Sequence, residues 1–348
     1  MEKECCRAFG RTSAGEAKLY TLKAGNYEAS FTDFGAIWVS FIIREENNAT
    51  DIVLGFDSAA GYEESSSFYG EIVGRNSNRI KDAAFTINGI RYQLDKNENE
   101  NNLHSGNAIY GSRIWKTEGP DAEGRSICFT LHSPDGDQGY PGNMDIQVTY
   151  TLTETGELHI CYEAKADKDT VCNLTNHVYF NLNGHGAGSI LDHEMQILAD
   201  SITPVLPGAI PTGELQAVEG TVFDFRTPRR IGQDIDADDP QLQLTGGYDH
   251  NFALSADRAP LHKAAEAWSP QSGLALQVST DLPGIQFYAG NFQDEKKGKG
   301  GADYTRRTGF ALETQYYPNS INEPAFASPL LKAGETYHSE TVYRLYRK

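Results

Sequence analysis

The sequence predicts an all-β protein, a large antiparallel β-sandwich, and three observations carry that prediction. Apolar and polar residues alternate with period two in segment after segment of the 348 residues, as strands with one buried face require. The 34 glycines, 18 tyrosines and 16 phenylalanines suit strands and turns better than helix bundles. Helical periodicity is confined to short stretches, so large sheets must bury one another's faces.

The first helical stretch is "DSAAGYEE" (57–64), and "RIGQDI" (230–235) is read as a second. In "MDIQVTYTLT", Met144, Ile146, Val148, Tyr150 and Leu152 face one way, while Asp145, Gln147, Thr149 and Thr151 face the other. "ELHICYEAKA" from Glu157, "LALQVST" from Leu274, "GIQFYAG" from Gly284 and "TVYRLYR" from Thr341 obey the same rule. Turn chemistry in "SPDGDQGYPGN" and "NGHGAG" separates such runs. "NLTNHVYFNLNG" (173–184) reads as a core strand with Leu174, Val178, Phe180 and Leu182 on a packing face. Its other face carries Asn173, Thr175, His177, Tyr179 and Asn181, which is read as the face for chemistry. "DEKKGKGGADYTRRTG" (294–309) is the most loop-like segment, either the rim of a site or a solvated excursion. No linker or internal repeat divides the chain, so residues 1–348 are expected to form a single domain.

A formal net charge of −18 sets the chain against nucleic acid and anionic membranes, whose phosphates call for concentrated Lys and Arg. A neutral or cationic small ligand fits better. No apolar run reaches the roughly 18 residues of a membrane helix, and "MEKECCRAFG" lacks the apolar segment of an export signal. A soluble, cytoplasmic chain is expected. Cys5, Cys6, Cys128, Cys161 and Cys172 form no C-x-x-C pair, which is neither a zinc pattern nor a disulfide framework. Cys128 and Cys161 are read as small core residues.

Nucleotide-binding, zinc-protease and serine-hydrolase motifs are missing from the sequence. His177, His185 and His193 lie at even spacing across a glycine turn and do not converge on a metal in any usual pattern. More is carried by polar residues alternating with apolar ones. In "GFALETQYYPN", Glu313 and Gln315 alternate with Phe310 and Leu312, and in "PGIQFYAGN", Gln286 and Tyr288 alternate with Ile285 and Phe287. A surface of carboxylate, amide, phenol and imidazole suits a sugar, which needs donors, acceptors and aromatic faces. Taken one at a time, a His or Glu on a strand face is more often simply solvated than catalytic.

In this order, "GRNSNRI", "NNLHSG", "DGDQGYPGN", "NLTNHVYFNLNG", "GYDHNF", "PGIQFYAGN" and "LETQYYPN" resemble the aldose 1-epimerases, also called galactose mutarotases. The resemblance runs from about Phe31 to the C-terminus. It implies a β-sandwich with an open cleft on one sheet, a free aldose such as galactose or glucose as substrate, and no cofactor or metal. It also implies Glu313 as general base, His177 as general acid, Arg79 and His104 as a substrate-binding pair, Asp249 as a holder of sugar hydroxyls, and Asn78 and Gln286 as cleft residues. Ser105 stands where the family commonly has Gly, which puts sugar preference in question.

Anomer exchange takes the proton from the C1 hydroxyl and protonates the ring oxygen, so an acid and a base must flank that unit. The expectation is that burial raises the pKa of Glu313 and that a nearby negative charge keeps His177 protonated. Three rival readings remain: an epimerase for a phosphorylated or oligomeric aldose, a non-catalytic carbohydrate-binding module, and a glycoside hydrolase. A sugar phosphate would want the cations of the loop, Lys296, Lys297, Lys299, Arg306 and Arg307. A binding module needs no acid and base, and a hydrolase usually needs two carboxyl groups.

Overall fold

A computed structural model describes residues 5–46, 48–255 and 260–348; the first four residues of the opening segment read for an export signal lie outside these. Among the described residues the framework is three antiparallel sheets. Cys6–Thr12, Gly15–Ala24, Tyr27–Thr32, Trp38–Glu45 and Asn48–Asp51 form a meander in chain order. The largest sheet has nine strands in the order Lys116–Glu118, Ser126–Ser133, Met144–Leu152, Glu157–Ala166, Thr336–Arg347, Leu274–Thr280, His262–Trp268, Glu194–Ile197 and Arg229–Arg230. A six-stranded sheet runs Tyr179–Phe180, Phe310–Gln315, Gly284–Tyr288, Asp249–Leu254, Ala199–Ile202 and Gln216–Ala217.

The alternation explains how the layers meet. Met144, Ile146, Val148, Tyr150 and Leu152 are buried, whereas Asp145 and Gln147 are exposed. They share one core with Ile285, Phe287, Phe310 and Leu312 of the six-stranded sheet and Leu22, Phe31 and Phe41 of the meander. Burying each such side chain contributes about 1.5–3 kcal/mol, and aromatic contacts fix how the layers seat. Trp38 lies edge-on to Phe180 and Tyr343, with ring centres 5.5 and 5.3 Å apart, and the Tyr343 hydroxyl donates to the Leu312 carbonyl at 2.8 Å.

Several local expectations change. The last strand begins at Thr336 rather than Thr341, because Ser339 occupies an inward position and hides the pattern; its hydroxyl is satisfied by Tyr337. Residues 231–236 form turns instead of a helix. The helix lies further on, at Pro240–Thr245, where Asp239 caps the N–H groups of Gln241 and Leu242, proline fills the first turn and Gly246 at φ 69° ends it. Cys128 and Cys161 are half-buried on outward strand positions, since Ile127, Phe129, Ile160 and Tyr162 take the inward ones; Cys172 is the cysteine in the core. The loop 294–309 is anchored: Tyr304 is fully buried, Lys299 donates to Asp51 and to the carbonyls of Val39 and Val53, and Arg307 forms a two-pronged pair with Asp236. No helix among the described residues is long and apolar enough to cross a membrane.

Candidate active site

Antiparallel neighbours directly opposite each other point to the same face of a sheet. Glu313 pairs with Gln286, Gln286 with Asn251, and Asp249 with Tyr288. Alternation therefore projects Glu313, Gln286, Tyr288 and Asp249 away from the core that Phe310, Leu312, Ile285 and Phe287 fill. This is the face predicted from the sequence, and it floors a cleft of about 300 Å³.

The segment 173–184 is not one strand. Thr175–Asn176 pairs with Ile72–Val73, and Tyr179–Phe180 pairs with Phe310–Gln315, so the chain changes sheets at His177. That break aims the imidazole into the cleft, while the His177 backbone N–H donates to the Glu71 carbonyl at 3.0 Å and the His177 carbonyl accepts from the Gly70 N–H at 2.9 Å. The asparagines around it serve the backbone. Asn173 accepts from the Tyr316 N–H, Asn176 donates to the Gly70 carbonyl, and Asn181 donates to the carbonyls of Gly188 and Thr308. Only His177 and Tyr179 of this segment line the cleft.

His177 Nε2 lies 3.6 Å from Glu313 Oε1. Beside them, Asn78, Arg79 and His104 come together from two chain segments. Asn78, at φ 60°, gives its backbone N–H to His104 Nδ1 at 3.2 Å and accepts the His104 N–H at 3.1 Å. With Nδ1 accepting, His104 carries its hydrogen on Nε2. Arg79 is held by Glu98 through two bonds of 2.6 and 2.8 Å from Nε and Nη2, and Nη1 makes no hydrogen bond among the described residues. Asp249 lines the cleft, and one of its oxygens accepts from Gln286 at 2.7 Å. Gln286 stands a step behind it, in an amide chain with Gln315 and Asn251.

The family model for aldose 1-epimerase matches residues 18–344. The chain belongs to the aldose 1-epimerase family. It is 39% identical over 338 residues to the galactose mutarotase of Bos taurus, covering 95% of this chain and 94% of the relative. The aldose 1-epimerase of Escherichia coli K12 is 38% identical over 315 residues, 90% of each chain. An aldose epimerase homologue from C. elegans superposes with a TM-score of 0.87 at 30% identity, over 94% of this chain and 98% of that one.

For this epimerase fold, burial sets the protonation of the cleft. It raises Glu313 to about 8, the charge of Asp249 adding to it and Arg79 opposing. That is the expected direction. His177 behaves otherwise: burial lowers it to about 4. The expected stabilising charge fails because Glu313, its nearest carboxyl, is itself discharged by burial. His104 is lowered well below its usual value by burial and by the neighbouring His177 and Arg79. Burial pulls Arg79 down, but Glu98, Asp249 and Glu313 outweigh it and hold the guanidinium charged.

His104, His177 and Glu313 offer ligand atoms within 4.8 Å of one another, a spacing that invites a metal reading. The donor chemistry does not fit it, because a His104 Nε2 that carries hydrogen is a donor and has no lone pair for an ion. Ser105 adopts φ 70° in a buried loop. Its hydroxyl accepts from the Asn76 N–H at 2.8 Å and donates to the Asn76 carbonyl at 3.1 Å, so Ser105 ties the His104 loop to the Asn78 loop.

The sequence missed Glu98, Phe68, Phe292 and Gln293, all of which line the cleft. Phe68 packs 4.7 Å from His104 and 5.7 Å from His177 between ring centres. Phe292 stays 71% exposed at the rim, a free aromatic face for sugar C–H groups. The loop 294–309 braces this wall from outside, where Glu295 accepts from Ser65 and Ser67. Asp249→Ala should raise KM for galactose about 10- to 100-fold through lost charged hydrogen bonds, with kcat changed much less; steady-state polarimetry separates the two, and a loss confined to kcat would contradict a binding role.

Proposed function

We propose that Glu313 and His177 are the proton-transfer pair with which this enzyme interconverts the α and β anomers of free aldoses, galactose and glucose among them. The observation that carries the reading is the 3.6 Å approach of a buried imidazole to a buried carboxyl on the floor of a cleft. Burying two ionisable groups is costly, and mere sugar binding does not require it. This speaks against a non-catalytic binding module.

At neutral pH the pair holds one proton, on Glu313 in the empty cleft. Moving it to His177 gives a carboxylate beside an imidazolium at the same total charge. Glu313 Oε2 has no hydrogen-bond partner among the described residues, and a sugar hydroxyl donated to it favours the carboxylate and sends the proton to His177. The base then takes the C1 hydroxyl proton while the acid protonates the ring oxygen, and the C1–O5 bond breaks to the open-chain aldehyde. Rotation about C1–C2 presents the other carbonyl face. Ring closure returns both protons, so no net proton is consumed.

Arg79 and the His104 Nε2–H donate to the ring oxygen or hydroxyls, Asp249 accepts, and Asn78 and Gln286 hold those groups in place, which supplies orientation. A sugar phosphate finds little here. Lys296, Lys297, Lys299, Arg306 and Arg307 are not among the cleft residues, and the charge of Arg79 is already matched by Glu98. The reading needs no cofactor, treats the whole chain as one domain, and places it in the cytoplasm, with which five unpaired cysteines accord.

The test is polarimetry on freshly dissolved α-D-galactose and α-D-glucose. Relaxation of rotation well above the buffer rate is expected; rotation that drifts at the buffer rate while the sugars still bind would return the binding-module reading.

A further inference from the structure

A second cavity of about 370 Å³ adjoins the sugar cleft, and Ser66, Phe68, Glu98 and Leu103 are common to both walls. Its depths are apolar: Phe34, Ile37 and Tyr69 are each at most 2% exposed. Into this lining is set Glu71, 6% exposed. Among the described residues its carboxyl group makes no hydrogen bond and no ion pair. The fit is close, since a Cβ added to Gly111 would fall 1.4 Å from Glu71 Oε2, so that glycine leaves the space the carboxyl occupies.

The other carboxyl groups of the cavity are committed. Glu63 accepts from the Ser13 N–H at 2.7 Å and from its hydroxyl, and Glu98 holds Arg79. Among the described residues no Lys, Arg or His lines the cavity. Tyr62 and Tyr69 are its remaining titratable groups, and burial raises both. Burial alone raises Glu71, to about 8.

A buried carboxyl without a cation, walled by aromatic rings in a cavity free of positive charge, is the chemistry that receives an organic ammonium. We propose that this cavity is a binding site, separate from the sugar cleft, for a small ligand carrying a primary ammonium on an apolar body, with Glu71 as its counter-ion. The ammonium neutralises the carboxylate while the apolar body covers Phe34, Ile37 and Tyr69. Because Glu71 holds a proton at neutral pH when the cavity is empty, loading the site releases that proton to solvent. Nothing in this inference depends on the epimerase reading.

The probe is 2-phenylethylammonium, with 2-phenylethanol as its uncharged counterpart, titrated calorimetrically into the full chain in buffers of different ionisation enthalpy. The ammonium should bind roughly tenfold or more tighter than the alcohol at pH 8.5. Its apparent affinity should fall about tenfold per pH unit below the Glu71 value, with about one proton released per ligand near pH 6.5. Glu71→Gln should abolish the preference for the ammonium and the proton release, whereas Glu313→Gln should retain both and so exclude the cleft carboxyl. If Glu71→Gln fails to fold, Ser112→Trp blocks the cavity from its exposed rim and should abolish binding of both probes. Equal binding of ammonium and alcohol, binding of neither, or loss on Glu313→Gln would each overturn the proposal.

Discussion

Glu313→Gln should lower kcat for galactose mutarotation by about 10²- to 10⁴-fold, the usual contribution of a positioned proton-transfer group, and leave KM within a few fold. The amide keeps the size and planarity of the carboxyl and can still accept a sugar hydroxyl through its oxygen. It cannot take up or return a proton. Glu313 is 2% exposed and lies between Leu312 and Thr314 on a fully buried strand, so a larger change would confuse loss of chemistry with loss of fold. Gln avoids this. Burial already holds Glu313 largely uncharged, and replacing a neutral carboxylic acid by an amide leaves no buried charge unpaired. The melting temperature should therefore stay close to wild type, and a variant that keeps its fold and its kcat would remove Glu313 from the mechanism.

Much of this site was legible because a strand broadcasts its two faces. Glu313, Gln286 and Tyr288 alternate with Phe310, Leu312, Ile285 and Phe287, and register then puts three sequence positions on one face, with Gln286 behind the cleft lining. Asp249 follows by the same rule, as its pairing with Tyr288 carries it to that face. His177 was legible as a residue and illegible as a geometry: alternation implied a continuous strand, whereas the chain changes sheets there to aim the ring. Glu98 was hidden in the polar run "DKNENENN", which has no period to read, and its meaning lies in Arg79, distant in sequence and brought to it by the turn 97–104. The "DGDQGYPGN" motif marks scaffold instead of site. The buried Arg75 donates to the carbonyls of Ser133, Pro134, Pro141 and Gly142, and Gln138 donates back to Gly74. A motif read from sequence alone does not separate such a brace from a catalytic group, because both need fixed residue types.

The pH dependence of kcat/KM should be a broad bell with limbs near 4 and near 8. In the free enzyme the productive form is the pair carrying one proton. Below about 4, the value to which burial lowers His177, a second proton enters and no base is left. Above about 8, the value to which burial and Asp249 raise Glu313, the last proton leaves and no acid remains. The rate should fall about tenfold per pH unit beyond each limb. The two limbs belong to the pair and not to one residue, so their assignment rests on variants. In Asp249→Asn, with the nearby negative charge removed, the Glu313 carboxylate is less disfavoured and the alkaline limb should move to lower pH. Taking the positive charge away in Arg79→Gln should move it to higher pH, since Arg79 opposes the rise. Opposite displacements from two neighbours of one carboxyl identify that carboxyl as the group behind the limb. A flat profile between pH 5 and 10, or displacements of the same sign, would mean that the proton pair at the centre of this mechanism is not what limits turnover.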